Sequence, residues 1–280
     1  MKKIIINMKE STKKHFSIFI LLLLFAIVAC NHIPDNLFWE NTLNDVESYM
    51  DNYPDSALAT LNDLKKAQLI GTNESVKINQ RQEAHFCLLL TIAKDKTYTP
   101  IVSDSIINIA CDYYLHSRGI DDYDMARAHF YLGQVNFALN EYEKAATNYY
   151  KALAIIKPYI YHKGQKSQHS LQKYYKLTGL IYGNIAKTLF KNGLYDKTLK
   201  MSKDAYHCYA QAKDSTNMIY SLRNIGRDLS MINEYDSAKT YFERAIDFAN
   251  KMHYATIANS LFLDLSQFYY LFGKKDYDSA

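Results

Sequence analysis

Apolar residues recur along the chain at the spacing of α-helices. Leu222, Ile225 and Leu229 follow one another at steps of three and four residues, and Val135 and Leu139 do the same earlier in the chain. Such steps place side chains on one face of a helix, whereas strands require alternation. Continued along the chain, the pattern predicts about 11 helices over residues 41–272, after a short tether at 31–40.

A polar phrase recurs four times and indicates an internal repeat. Its tyrosines, Tyr142, Tyr195, Tyr235 and Tyr277, lie 53, 40 and 42 residues apart. The longest interval contains a polar stretch of 12 residues at positions 158–169, which we interpret as a loop. Without it the period is about 41 residues, enough for two helices and two turns. Asn or Gly opens the phrase, which suits a helix end, and the acids that follow suit the start of the next helix.

Small residues face aromatic ones within this repeat. Gly133 precedes Tyr149 by 16 residues, and Gly226 precedes Phe242 by the same number. Each of these aromatic residues stands between two alanines, whereas the middle copy has Ser202 at the aromatic position. The pattern resembles the tetratricopeptide repeat. This resemblance implies an all-α fold, a right-handed superhelical solenoid of antiparallel helix pairs.

The same reading divides the chain into four parts. They are a signal peptide at 1–29, a lipidated cysteine and tether at 30–40, divergent N-terminal helical repeats at 41–118, and tetratricopeptide-like repeats at 119–280. In the part at 41–118, Pro54 and Asp55 are typical of a helix start, and residues 43–50 form the partner helix. The last repeat is expected to be incomplete, because Ala280 falls where its second helix would begin.

The N-terminal segment has the features of an export signal. Five lysines within residues 1–15 precede an uncharged apolar run of 14 residues at 16–29. That run is shorter than the roughly 20 residues of a membrane-spanning helix, and it is typical of a secretory signal peptide. Its end, Ile27-Val28-Ala29-Cys30, resembles the lipobox of bacterial lipoproteins. The resemblance implies cleavage before Cys30, acylation of that cysteine, and a membrane lipoprotein.

Together, these features resemble tetratricopeptide-repeat lipoproteins of Bacteroides-like Gram-negative bacteria. We therefore expect an exported protein, anchored in the outer membrane and facing the periplasm. Asn31 follows Cys30 in place of the Asp that is associated with inner-membrane retention in some enterobacteria. An uncleaved anchor that happens to end in a cysteine is the other interpretation.

Charge and composition narrow the possible functions. The formal net charge of +4 resides in residues 1–29, and the remaining residues carry 28 basic and 28 acidic groups. A balanced chain gives no general reason to expect nucleic-acid binding. Cys87, Cys111 and Cys208 lie in apolar helical segments, so we expect buried thiols rather than redox or metal chemistry.

The sequence contains no recognisable catalytic constellation. It lacks a phosphate-binding glycine loop, a His-Glu-x-x-His motif, a nucleophile elbow and a Cys-x-x-Cys pair. We therefore expect no enzymatic activity, no cofactor and no metal. Tyrosine pairs such as Tyr149-Tyr150 suit helix packing, although tyrosines can also stack on sugars.

The resemblance also implies a binding surface. In tetratricopeptide solenoids the first helix of each pair lines a concave groove, and by register this groove would contain Arg127, Phe130, Gln134, Asn184, Lys187, Lys191, Tyr220, Arg223, Asn224 and Arg227. The charged residues in this set are all basic, so we expect a groove that is locally of one sign. Basic and amide groups suit a peptide or protein partner with an acidic or carboxylate end. A solvated helix face with incidental Lys and Arg is the other interpretation.

The expected function is therefore that of a non-catalytic, lipid-anchored scaffold that binds a peptide or protein partner in its groove. Two alternatives remain at this point. The chain could be the sensor half of a longer membrane-spanning regulator, or a glycan-binding outer-membrane lipoprotein.

Overall fold

The computed structural model describes residues 35–70, 78–117, 119, 121–161 and 168–272. Eleven α-helices and no strand occur in this part of the chain, which confirms the predicted all-α class. The helices are α1 Asp35–Tyr49, α2 Pro54–Ile70, α3 Gln80–Lys96, α4 Ser105–His116, α5 Asp122–Ala138, α6 Tyr142–Tyr161, α7 Gln168–Lys191, α8 Tyr195–Ala212, α9 Ser215–Met231, α10 Tyr235–Lys251 and α11 Ala255–Phe272. None of these described helices is both long and apolar enough to cross a bilayer. The predicted signal peptide, Cys30 and residues 273–280 lie outside the described residues.

The first compact unit comprises the described part of residues 1–86. Here α2 packs against α1, the pairing that the sequence predicts for the helix that begins at Pro54. Trp39 is buried, and its ring meets that of Phe86 edge-on with the centroids 6.1 Å apart. The first helix begins at Asp35, within the segment predicted as a tether, and the buried Trp39 explains why this turn is helical.

The second unit comprises the described part of residues 87–280 and is a stack of helix pairs. Consecutive helices from α4 to α11 contact each other, which short turns allow only in an antiparallel arrangement. In addition, α5 contacts α7 and α9 contacts α11, so first helices of neighbouring pairs also touch. The pairs α5–α6, α7–α8 and α9–α10 are the repeats that the sequence predicts.

The recurring phrase forms the turn between the helices of each pair. Asn140 and Asn233 adopt left-handed backbone with φ of 63° and 65°, and Gly193 does so with φ of 72°. Asn and Gly tolerate this conformation better than other residues do. The phrase's tyrosine then supports the turn, because Tyr142 donates its hydroxyl to Asn140 Oδ1 at 2.9 Å. Tyr235 makes the same bond to Asn233 at 2.6 Å.

Close helix contact occurs at the predicted glycines. A Cβ at Gly133 would lie 2.5 Å from the Tyr149 ring, and one at Gly226 would lie 3.1 Å from the Ala238 carbonyl oxygen. A third close contact was not predicted: a Cβ at Gly179 would lie 2.7 Å from the ring of Tyr209. This contact lies two turns from Ser202, the small residue at the predicted aromatic position.

Both described ends of the predicted polar loop at 158–169 are helical instead. Helix α6 continues through Pro158 to Tyr161, and α7 begins at Gln168. Proline removes one backbone hydrogen bond from a helix. Burial of Ile156 and Ile160 on either side of Pro158 favours continuation of the helix nevertheless.

Candidate functional site

The seven polar residues predicted for the groove lie on the first helices of three successive pairs. Arg127 and Gln134 are on α5, Asn184 and Lys187 on α7, and Arg223, Asn224 and Arg227 on α9. The structure brings two of them, Asn184 and Asn224, to the wall of one cavity. The other five have separate partners.

This polar cavity has a volume of about 180 Å³ and lies among α7, α8 and α9. Its nine lining residues are all uncharged: Gly183, Asn184, Ser202, Ala205, Tyr209, Asn217, Tyr220, Ser221 and Asn224. The cavity lies where the repeat departs from its pattern. In the neighbouring pairs an aromatic side chain, Tyr149 or Phe242, stands at the position that the small Ser202 holds here.

The hydroxyl of a largely buried tyrosine faces this cavity, where it has no protein partner in the described chain and is open to water. Tyr209 is 6% exposed, and its ring packs against Gly179. Its hydroxyl oxygen lies 3.9 Å from where a Cβ of Gly183 would be, and no other described residue hydrogen-bonds it. Burial raises the pKa of Tyr209, so the phenol stays neutral and able to donate. By contrast, the hydroxyl of Tyr149 in the preceding pair is satisfied by Gln134 at 2.6 Å.

The cavity wall also offers acceptors. Asn184 donates its Nδ2 to the carbonyl oxygen of Leu180 at 3.0 Å, which fixes the amide and leaves Oδ1 without a partner among the described residues. Ser202 donates its proton to Asp228 Oδ2 at 2.6 Å, so its oxygen presents only lone pairs elsewhere. The side-chain amide of Asn224 has no hydrogen bond within the described chain and can both donate and accept.

A carboxylate is buried behind this wall. Asp228 is fully buried, and burial raises its pKa, while the hydrogen bond from Ser202 and the nearby Arg227 oppose the rise. Arg227 places Nη2 3.2 Å from Asp228 Oδ1 and stacks its guanidinium over the Phe190 ring at 4.1 Å. This predicted groove cation is therefore used largely within the fold.

Arg223 and Lys187 also lie beside an acid or a ring, whereas the predicted groove residue Lys191 is exposed at the end of α7. Arg223 binds Asp264 on α11 at 2.6 Å. Lys187 lies over the Phe137 ring at 4.2 Å. Loss of water there lowers the pKa of Lys187, while attraction to Asp95 opposes the shift.

On α5, Arg127 pairs with Asp124 at 3.4 Å and faces the ring of Tyr123. The face therefore carries mixed charge, and the expectation of a locally one-signed surface is wrong. Two of the compensating acids, Asp95 and Asp264, lie on helices outside the repeats from which the groove was predicted.

Two predicted groove residues on α5 serve the core instead. Phe130 is 2% exposed and packs against Tyr149, with the ring centroids 5.9 Å apart. Gln134 is bound by Tyr149 and by Asp95, whose pKa is raised by burial and lowered in part by this hydrogen bond. Neither side chain lines the cavity.

The three cysteines of the described chain lie in its interior. Cys87, Cys111 and Cys208 are all buried, and none of them forms a disulfide with another described residue. Burial raises the pKa of the Cys111 and Cys208 thiols to about 12, so the nucleophilic thiolate is scarce at neutral pH. Within the described residues no three His, Cys, Asp or Glu side chains are grouped so as to hold a metal ion.

Comparison with known proteins gives a family for part of the chain. The tetratricopeptide-repeat family matches residues 177–251, which include most of α7 and all of α8, α9 and α10. No curated protein matches the chain by sequence. Several solved structures match it by fold.

One similar structure is BtubC (BKLC) from P. vanneervenii, with 14% identity and a TM-score of 0.57 over 79% of this chain and 84% of that one. Another is aspartyl phosphate phosphatase F from Bacillus subtilis, with 14% identity and a TM-score of 0.54 over 85% and 70%. A third is a putative kinesin light chain from Podosopora anserina, with 11% identity and a TM-score of 0.51 over 79% and 97%. At these identities the likeness shows the fold alone. Residues 177–251 therefore match the tetratricopeptide-repeat family, and the described chain has the fold of tetratricopeptide-like helical repeats.

Proposed function

We propose that the chain is a non-catalytic scaffold that binds a segment of another protein across α7 and α9. The observation that carries this proposal is the polar cavity between these two first helices. Its wall holds hydrogen-bonding groups that the described chain leaves unused, among them the hydroxyl of Tyr209 and the amide of Asn224. These groups are open to water in the free protein, and a ligand that supplies partners of matching geometry can replace that water.

The chemistry of the cavity wall suits a peptide segment. An extended peptide presents both N–H donors and carbonyl acceptors, and an Asn side chain can bind either. Asn184, Asn217 and Asn224 place three such amides around the cavity. The repeat fold supports this use, because stacked helix pairs present extended surfaces for partners.

The acidic or carboxylate end expected from the sequence is not part of this proposal. An anion needs cations that are not already paired. Here Arg223 is held by Asp264 and Arg227 lies against Asp228, so an incoming carboxylate would compete with acids of the protein itself. A partner segment without a terminal charge fits the face better.

We further propose that the scaffold is exported and held to the outer membrane, facing the periplasm, by a lipid on Cys30. The support is the sequence Ile27-Val28-Ala29-Cys30 after the apolar run. Helix α1 begins five residues after Cys30. A fully extended connection of that length spans at most roughly 18 Å, so the first helical unit would lie close to the membrane surface.

Comparative affinity capture tests the binding proposal. The bait proteins are the wild type, Asn224→Arg, which introduces a long charged side chain at the cavity wall, and Asn250→Arg as a matched control. Asn250 is exposed on α10 and does not line the cavity. We expect the wild type and the control to enrich the same partner and Asn224→Arg to lose it. Circular dichroism checks that all three are folded, and full capture by a folded Asn224→Arg protein would contradict the proposal.

A further inference from the structure

We infer that the polar cavity receives a neutral carboxamide, the side chain of an Asn or Gln in the partner segment. This inference rests on the proposed scaffold function and specifies the chemistry of its site. It differs from the carboxylate recognition that the sequence suggested.

The space in the cavity results from one departure from the repeat pattern. Ser202 stands where Tyr149 and Phe242 fill the corresponding positions of the neighbouring pairs. The resulting volume of about 180 Å³ is several times the roughly 30 Å³ that a water molecule occupies in the liquid. The cavity can therefore hold a side chain rather than a single structural water.

The donor that points to a ligand is Tyr209. Its side chain is more than nine-tenths buried, and its hydroxyl faces the cavity without a partner among the described residues. This oxygen is not among the buried polar atoms of the described chain that lack a partner, so water reaches it in the free protein and a ligand can take the place of that water. The matching hydroxyl of Tyr149 has a partner because Gln134 follows Gly133, whereas Leu180 follows Gly179 and offers no side-chain acceptor. A ligand carbonyl oxygen would satisfy Tyr209.

The acceptors lie on the other two sides of the cavity. Asn184 is oriented by its bond to the Leu180 carbonyl, so its Oδ1 can accept an N–H. Ser202 has donated its only proton to Asp228, so its oxygen can also accept. A carboxamide has one carbonyl oxygen and two N–H donors and can bind both kinds of group at once.

The electrostatics of the cavity disfavour a charged guest. No charged side chain lines it, and the buried carboxylate of Asp228 lies directly behind Ser202. A guest carboxylate would lose part of its hydration and face this acid without a cation in the cavity wall, which is costly. A guest ammonium group could not accept the proton that Tyr209 offers. The neutral carboxamide avoids both penalties.

Two nearly identical small probes test this chemistry on the purified protein. They are N-acetylglutamine methylamide and N-acetylglutamate methylamide, titrated separately at pH 7 and followed by NMR of the tyrosine rings. We expect the glutamine probe to shift the Tyr209 signals with a millimolar dissociation constant and the glutamate probe to bind at least tenfold more weakly. Equal or tighter binding of the glutamate probe, or no glutamine binding at 50 mM, would overturn the inference.

Tyr209→Phe removes the hydroxyl and keeps the ring that packs against Gly179. We expect it to weaken glutamine-probe binding roughly five- to tenfold. The midpoint of urea unfolding should stay unchanged, because the hydroxyl has no protein partner in the described chain and is open to water in the folded protein. Tyr149→Phe is the matched control. It removes a satisfied hydroxyl, so it should lower the unfolding midpoint and leave probe binding unchanged. Undiminished probe binding by Tyr209→Phe would refute the role of this hydroxyl.

The probe experiment and the capture experiment test separate claims, so a negative result in one does not decide the other. Capture that depends on Asn224 without probe binding would overturn the carboxamide inference and leave the scaffold proposal intact. Probe binding as described, with capture that ignores Asn224, would support the cavity chemistry and place the protein partner elsewhere.

Discussion

The guanidinium of Arg223 binds the carboxylate of Asp264 at two points, with Nε 2.6 Å from Oδ2 and Nη2 3.0 Å from Oδ1. The pair joins α9 to α11, the first helices of neighbouring pairs. The contact from Nη2 to Oδ1 is a hydrogen bond, whereas Nε and Oδ2 are paired by distance alone and Oδ2 accepts no hydrogen bond from the described chain. The side chains are 39% and 22% exposed, so solvent screening limits the stabilisation to no more than about 1 kcal/mol. Arg223 thus contributes to stacking of the repeats, which the sequence did not predict.

The first prediction concerns this pair. Arg223→Asp places two acids together and should lower the free energy of unfolding by about 1 kcal/mol. The double variant Arg223→Asp/Asp264→Arg restores opposite charges and should recover part of that loss. Urea unfolding at low and high salt measures both effects, and high salt should reduce the difference. Strictly additive single-variant effects at low salt would show that the two residues do not interact in solution.

The second prediction concerns the close contact at Gly133. Ala at this position would put its Cβ 2.5 Å from the Tyr149 ring, so Gly133→Ala should lower the free energy of unfolding by about 1–3 kcal/mol. Gly226→Ala should cost less, because its nearest contact is 3.1 Å. Gly183 is the matched control, since its nearest contact is 3.9 Å. Gly183→Ala should be neutral or stabilising by up to about 1 kcal/mol through helix propensity. Urea unfolding that ranks the three variants otherwise would contradict these packing distances.

The third prediction concerns pH. Burial raises the pKa of Asp228 in the folded chain above its ordinary value of 3.8. The folded state therefore holds this proton more tightly than the unfolded state, and the contribution of Asp228 to stability falls as pH rises from about 3.8 through its folded pKa. Asp228→Asn keeps an oxygen for Ser202 and does not ionise. The stability of the variant relative to the wild type should therefore increase with pH across this window and then level off. Urea unfolding at closely spaced pH values measures this difference in stability. If the stability of the variant relative to the wild type decreased with pH, the pKa of Asp228 would be lowered rather than raised in the folded chain.

The fourth prediction concerns anchoring. Cys30→Ser should abolish incorporation of a labelled fatty acid when the full chain is expressed in a Gram-negative host, because a hydroxyl does not replace the thiol in acyl transfer. Cys111→Ser is the control, since its buried thiol should play no part in acylation. Label on the Cys30→Ser protein would refute the proposed lipid anchor.

Local sequence features predicted the helices, the turns and two of the close contacts. Asn140 and Asn233 have a backbone preference that acts within a few residues, and the Gly133–Tyr149 pair repeats at a fixed interval. These signals can be recognised in a single sequence because they occur in more than one copy of the repeat. The helical class was therefore predictable before any tertiary contact was known.

The electrostatics and the cavity depended on contacts between distant positions. Asp264 is 41 residues from Arg223, so the pattern of one helix does not indicate their pairing. Ser202 was recognised as a departure from the repeat, and it was the available signal for the cavity. The sequence did not indicate that the hydroxyl of Tyr209 would face this cavity. That placement results from the packing of α8 against α7.

Site-specific photocrosslinking tests most directly whether a partner binds across α7 and α9. A benzophenone amino acid replaces either Tyr220, which is 39% exposed and lines the cavity, or Tyr150, which is 49% exposed on α6 and does not. The similar exposure of the two tyrosines gives the crosslinker similar access to solvent. We predict that the probe at Tyr220 crosslinks the captured partner and that the probe at Tyr150 does not. Crosslinking from Tyr150 without crosslinking from Tyr220 would contradict the proposed binding face.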